Sequence, residues 1–382
     1  MIGILSYFPT LAFIPHYAFA LTFIYAVIRR KDIVINHFSS LQAIKSNFLL
    51  LLLIASLSVA NCFIGVVFYG TEPGFPYPVL MLATYFIALS LSKTDLKFIF
   101  WLAVIESLVV VAEFASGTSS FIPAYASMDN PDTDLLYFSR PMGLSYNSSI
   151  VAYKLLVAIL IAEYLDKRTL LYRLAQVVLL AGIILTFSRT ILVVLVIYFA
   201  IRYSRQYLIA FVELVRFRIR YTNLVFLFAF SAFIVVSFYF AYTNFSSIST
   251  QFTRGRGNIE FSGREKIWPQ FIDFIKKNPL AGNHSLKFYA DYHGIPDSAH
   301  AHNSFLQVLA DNGIFIFALY MIFVFANINR KNVYYILPIL IYSITQYGVF
   351  WGISLLDIVF MMILLRKDKE LTMLTCKPIQ IS

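Results

Sequence analysis

Charge is scarce in this 382-residue chain: Asp, Glu, Lys and Arg make up 13% of it, where a soluble domain uses roughly 25% to cover its surface. That shortage excludes an ordinary water-soluble fold. With 59% hydrophobic residues and a mean hydropathy of +0.75, an integral membrane protein is left. Cysteine is nearly absent too: Cys62 lies in an apolar run and Cys376 in the C-terminal tail, a spacing that fits neither a metal site nor a disulfide. Repeats and low-complexity tracts are lacking. The first 28 residues, interrupted by Pro9, Pro15 and His16, read as a membrane helix rather than a cleavable signal. What is abundant is apolar sequence long enough to cross about 30 Å of hydrocarbon, repeated along the chain, which favours a helical bundle over a β-barrel.

The expected spans are 10–28, 46–69, 77–91, 98–116, 147–165, 174–188, 190–203, 222–242, 303–327, 333–348 and 354–365. The fold class is therefore an all-α polytopic membrane protein of about 11–12 transmembrane helices, one domain over 1–382. The net charge of +10 is dispersed among short loops, so it marks orientation and not nucleic acid. One set of alternating loops holds 20 Lys and Arg and the other nine, although the second set is longer. The positive-inside rule puts the first set in the cytoplasm and loops 117–146 and 243–303 outside.

Loop 243–303 is a polar island between apolar stretches. It holds Arg254, Arg256, Arg264, His284, His293, His300 and His302, four of the six histidines of the chain among them. Arg254-Gly255-Arg256-Gly257 is flexible and cationic. Ile267, Trp268, Phe271, Ile272 and Ile275 have helical spacing, which predicts an amphipathic helix capped by Ser262 and lying along the membrane surface. Arg264 then falls in its first turn, beside free backbone N–H groups that make a phosphate-binding corner. His300 and His302 raise the thought of zinc, but the acids of the island form no ligand set with them. An imidazole at the mouth of a membrane helix is better placed as a general base, and His302 is the choice, followed by Asn303 as a cap. His284 and His293 read as structural.

Two readings fit Arg189, which sits on the tripeptide Ser188-Arg189-Thr190 between two apolar runs: it faces a polar cavity or anion, or it snorkels at the interface. Two also fit Arg140, in the stretch that leads to the N-cap candidates Asn147 and Ser148: a surface arginine beside a capped helix, or part of an oxyanion site. Within the bilayer the ionisable residues are Glu106 and Glu113 on one helix face, Lys154, which can pair with a carboxylate of a neighbouring helix, and Asp357 near the inner leaflet.

Over residues 137–327 stand, in order, Arg140-Pro-Met-Gly143, Thr186-Phe-Ser-Arg189-Thr190, Ser262-Gly-Arg264 with Trp268, Asn278-Pro-Leu-Ala-Gly282, Ala301-His302-Asn303-Ser-Phe-Leu306 and Asp311-Asn-Gly313. In these elements the chain resembles the O-antigen ligase and O-antigen polymerase superfamily of bacterial inner-membrane glycosyltransferases. The resemblance implies a fold like that of the C-type glycosyltransferases, with a large periplasmic loop bearing a membrane-parallel helix. It implies transfer of a glycan from undecaprenyl pyrophosphate, no cofactor and no metal, with Arg189, Arg264 and His302 as the catalytic set. Tyr137, Arg140, Trp268 and Tyr289 are candidates for sugar or donor contacts, with Arg254, Arg256 and Asn303 as further substrate-binding residues. The implied partners are the lipid-linked oligosaccharide, an acceptor (a second lipid-linked repeat unit or lipid A-core) and a chain-length regulator. Polymerase is the preferred activity and ligase the alternative. A lipid-linked-glycan flippase would need charge lining the whole membrane depth, whereas here it gathers at the outer face.

Overall fold

The computed structural model of the chain describes residues 24, 25, 28, 42–123, 140–145, 147–165, 169–215, 221–243, 263–292, 294–330, 332–346, 348–350 and 354–365. Among them are eleven α-helices: α1 (Gln42–Tyr69), α2 (Leu80–Ser90), α3 (Lys93–Ser116), α4 (Ser148–Tyr164), α5 (Leu170–Leu185), α6 (Arg189–Val215), α7 (Tyr221–Thr243), α8 (Arg264–Lys277), α9 (Ser304–Asn327), α10 (Val333–Thr345) and α11 (Leu355–Leu365). All but α8 coincide with expected spans, so the all-α polytopic reading holds. Most of span 10–28 lies outside the described residues. Ser46–Tyr69, Lys93–Ser116 and Ser304–Asn327 are each long and apolar enough to cross a membrane, and shorter apolar helices such as Leu170–Leu185 and Leu355–Leu365 accompany them.

Local chemistry fixes where several helices begin. Ser92 and Asp95 close a capping box on α3, each side chain bonded to the other's backbone N–H. Asn147 caps α4 by accepting the Ser149 N–H, as expected. Asn303 caps α9 by accepting from both Phe305 and Leu306. Apolar surface on α1 and α6, Phe63 and Val196 for example, remains exposed, the surface that lipid covers. α11, and α4 from Val151 to Ala162, are buried all round. They form the centre of the bundle, which is what a helix apolar on every side requires.

Two charges are locked into that centre. Lys154 on α4 lies 3.6 Å from Glu106 on α3, both fully buried, and Ser145 completes the triangle by bonding each. The pairing expected for Lys154 is therefore present, since neither charge would be stable there alone. Asp357 departs from the expectation. It stands in the first turn of α11 and accepts the Phe350 N–H, on a segment whose Gly348 and Val349 N–H groups bond Ser304 at the start of α9. That puts it at the island end of the bundle and not at the other.

α9 is broken at Gly313, whose φ of 75° and ψ of 176° are not helical. The break exposes backbone groups that the helix no longer satisfies. The Asn278–Gly282 turn and the residues after it fill the gap: Asn283 N–H donates to Ala310 O, Ser285 N–H to Asp311 O, and Ile314 N–H to Pro279 O. The fit leaves no room for side chains. A Cβ on Gly313 would lie 1.9 Å from Leu280 O, and one on Gly282 would lie 2.5 Å from Ala310 O. Two of the matched motifs are thus the two halves of one joint.

Candidate active site

The amphipathic helix expected in the island is α8, and Arg264 is its first residue. The residue ahead of it is Gly263, at φ 80°, with no side-chain cap, whereas Ser262 was expected to cap the helix and lies outside the described residues. α8 buries Ile267 and Phe271 in a small core of its own, with Ala290, Ala299, Ala301 and Ala310. Part of that core is an antiparallel ribbon, β1 (Ala290–Tyr292) and β2 (Ile295–Ala299), which the sequence reading did not anticipate. The described part of the island, from Gly263 onward, is therefore a packed cap on the end of the bundle.

This cap holds the His302 segment from three directions. Trp268 donates its indole N–H to Ala301 O at 2.7 Å. Gln307 accepts the Ala301 N–H and donates to Phe288 O and Asp311 Oδ1. Asn303 is occupied in the α9 cap. Trp268 and Asn303, expected among the substrate contacts, also hold the backbone on either side of His302. His302 itself has φ 49°, a left-handed conformation uncommon outside glycine and one that stores strain at functional positions.

The side chains around His302 set its tautomer and its affinity for a proton. Its Nδ1 lies 3.3 Å from Gln346 Oε1. With that oxygen as acceptor, Nδ1 carries the proton and Nε2 keeps its lone pair. Burial lowers the imidazole's affinity for a second proton, the nearby Arg264 charge lowers it further, and the Gln346 bond partly opposes both. The His300 ring lies 4.1 Å from that of His302. Its pKa is pushed down to about 3 by burial, then by His302, Lys287 and Arg264. Both rings are neutral near pH 7, and among the described residues no third His, Cys, Asp or Glu joins them as metal coordination would require. Arg264 is anchored by donating from Nη2 to Thr345 O at 2.7 Å, at the end of α10.

The second arginine group is built on a different support. Glu113 on α3 accepts the backbone N–H groups of Phe121, Met142 and Gly143, fixing the Arg140 segment against the bundle. Arg140 donates from Nε to Thr186 O, on the turn that leads into Arg189. That turn contains Phe187, also left-handed at φ 51°. α6 and α10 pack together, with Tyr335 close to Tyr198. Arg189 is nine residues from Tyr198 and Thr345 ten from Tyr335, so a rise of about 1.5 Å per residue brings both ends to the same level, roughly 14–15 Å away. Arg189, half-buried, therefore shares a level with the carbonyl that holds Arg264.

Arg264, His300, His302 and Lys287 form one electrostatic group; Arg140 and the Arg189 turn form another at the same end of the bundle. Tyr289 is 37% exposed, beside Tyr77 and Asp311. Tyr137, Arg254, Arg256 and His293 lie outside the described residues. His284 packs against Tyr69, ring centroids 4.7 Å apart, and its buried Nδ1 makes no hydrogen bond. Gln346 and Lys287 were not singled out by sequence reasoning. Lys287 projects over the Tyr77 ring at 4.4 Å, its pKa lowered to about 8 by burial against the opposing pull of Asp311 and Asp357.

Residues 174–321 match the model of the family described as O-antigen ligase, which supports the superfamily expected from the motifs. The matched stretch contains Arg189, Arg264, Trp268, the joint at Gly282 and Gly313, and His302; the Arg140 segment precedes it. A comparison with curated proteins gave no match.

Proposed function

We propose that this chain, with its O-antigen ligase segment over residues 174–321, is a polymerase of a surface polysaccharide that uses undecaprenyl-pyrophosphate-linked repeat units at the periplasmic face of the bacterial inner membrane. The observation that carries the reading is the pairing of a neutral His302 with a fixed guanidinium, Arg264, at the mouth of α9. Nε2 of His302 accepts the proton of the acceptor sugar hydroxyl as its oxygen attacks the anomeric carbon. The bond from that carbon to the diphosphate breaks, with inversion, and undecaprenyl pyrophosphate leaves. Arg264 and Arg189 neutralise the departing charge, a task suited to the bidentate geometry of guanidinium. The two arginines provide the charge neutralisation, and the reaction needs no metal. Tyr289, Tyr137, Arg140, Arg254 and Arg256 are the remaining substrate contacts in this proposal.

The deciding experiment is deletion of the gene followed by gel analysis of lipopolysaccharide. Loss of the ladder with one repeat unit retained is the expected result. A core-only band with accumulated lipid-linked polymer would instead assign the ligase reaction, in which the same donor is passed to lipid A-core.

The pH dependence follows from the environment of His302. Its pKa lies below the ordinary histidine value of about 6.5, so the base stays unprotonated through neutral pH and is lost only as pH falls through that lowered value. The acid limb of kcat/KM, which reports the free enzyme, is expected below pH ~6.5. Gln346→Leu removes a bond that favours the protonated ring, so the limb should move further toward acid while kcat drops from loss of the fixed tautomer. A pH–rate profile of purified enzyme checks both. An unmoved limb would separate Gln346 from the titration.

A further inference from the structure

At the end of the bundle away from His302, a second polar cluster lies between α4, α6 and α10, and the proposed reaction does not use it. Arg202 Nη2 is 3.5 Å from Glu163 Oε2. Tyr198, four residues earlier on the same face of α6, is 1% exposed, with Glu163, Tyr335, Arg202 and Tyr203 near enough for their charges to act on it. Along the axis of α6, Tyr198 and Arg202 stand roughly 14 and 20 Å from Arg189. The ring of Tyr164 meets that of Tyr335 edge-on at 5.9 Å.

Two donors here have no acceptor: Tyr198 Oη and Arg202 Nε are both shielded and unbonded. Leaving a buried donor unpaired is costly, and two of them one turn apart on α6, one of them cationic, suit an anionic oxygen as acceptor. The arginine charge is already balanced by Glu163, whose side chain is 24% exposed. A ligand of zero net charge with separated poles therefore fits better than a free anion. Beside the cluster, Val196 and Leu208 of α6 present exposed apolar surface suited to acyl chains.

We propose that Tyr198, Arg202 and Glu163 form a headgroup site for a zwitterionic aminophospholipid. Its phosphate accepts from Tyr198 Oη and Arg202 Nε, and its primary ammonium sits against the Glu163 carboxylate and the Tyr203 and Tyr335 rings. The site is independent of the catalytic reading.

Native mass spectrometry of the full-length protein, released from nanodiscs of mixed phosphatidylethanolamine, phosphatidylcholine and phosphatidylglycerol, tests this. Retained phosphatidylethanolamine is expected in the wild type and in Arg264→Ala. Tyr198→Phe and Glu163→Gln should each weaken retention about tenfold, the worth of one charge-assisted hydrogen bond. Phosphatidylcholine, whose quaternary ammonium cannot donate to Glu163, should be held less. Inorganic phosphate added in excess should displace nothing. Equal retention by Tyr198→Phe and wild type overturns the proposal, as does preference for phosphatidylglycerol or displacement by phosphate. A circular-dichroism melt unchanged in Tyr198→Phe, a near-isosteric variant, keeps the comparison on binding.

Discussion

His302→Gln is expected to leave a folded protein in the membrane and to reduce glycan transfer by about 10²–10⁴-fold, the usual contribution of a positioned general base. Glutamine keeps much of the volume and polarity of the ring but cannot take up a proton. The Asn303 cap and the Trp268 bond to Ala301 use neighbouring backbone, so the fold of the loop should survive the change. Arg264→Lys makes a complementary test. Lysine keeps the charge, yet a single ammonium cannot hold Thr345 O and also offer a fork to a phosphate, so a loss of about 10²–10³-fold is expected. The measurement is transfer between purified lipid-linked repeat units, with Kd for the donor alongside. Arg264→Lys should weaken donor binding, whereas His302→Gln should leave it nearly unchanged. A His302→Gln enzyme that still builds polymer at the wild-type rate would refute the base assignment.

Gly313→Ala should be the most damaging alanine substitution among the described glycines. Its backbone, at φ 75° and ψ 176°, lies in a region open essentially to glycine alone, which adds about 1–3 kcal/mol for any side chain, and overpacking against Leu280 adds about 1–3 kcal/mol. Leu280 O is backbone, so the neighbour cannot swing away as a side chain would. The control is Gly294→Ala, where φ is 77° but nothing lies within 4 Å of the added carbon, so only a backbone penalty applies. Thermal unfolding in detergent, followed by fluorescence size exclusion, should separate the two clearly. Similar melting of both variants would mean that the joint between the Asn278–Gly282 turn and α9 is looser than its geometry.

Much of the scaffold was legible because membrane helices announce themselves in local sequence. Apolar runs gave ten of the eleven described helices, and Asn147 and Asn303 gave two helix starts, because capping is decided within three residues. Arg264 was placed in the first turn of an amphipathic helix by the same local logic, and Lys154 found the carboxylate that its burial demands. What escaped was nonlocal. Gln346 is a single polar residue at the end of an apolar span, and nothing within its own helix points to His302, 44 residues away. The motifs at 278–282 and 311–313 could be seen as a pair only by resemblance; that they dock on each other is a tertiary fact. Asp357 was assigned to the wrong end, and the ribbon at Ala290–Ala299 was missed because its strands are three and five residues long, too short for an alternating pattern.

The joint at Gly313 also bears on how such enzymes can be recombined. Its two halves, 31 residues apart from Gly282 to Gly313, interlock mainly through backbone, so neither tolerates a foreign partner of different shape. A chimera that imports the outer segment from a relative but stops before residue 313 would mismatch the seam. One whose crossover falls beyond Ile314 carries lock and key together.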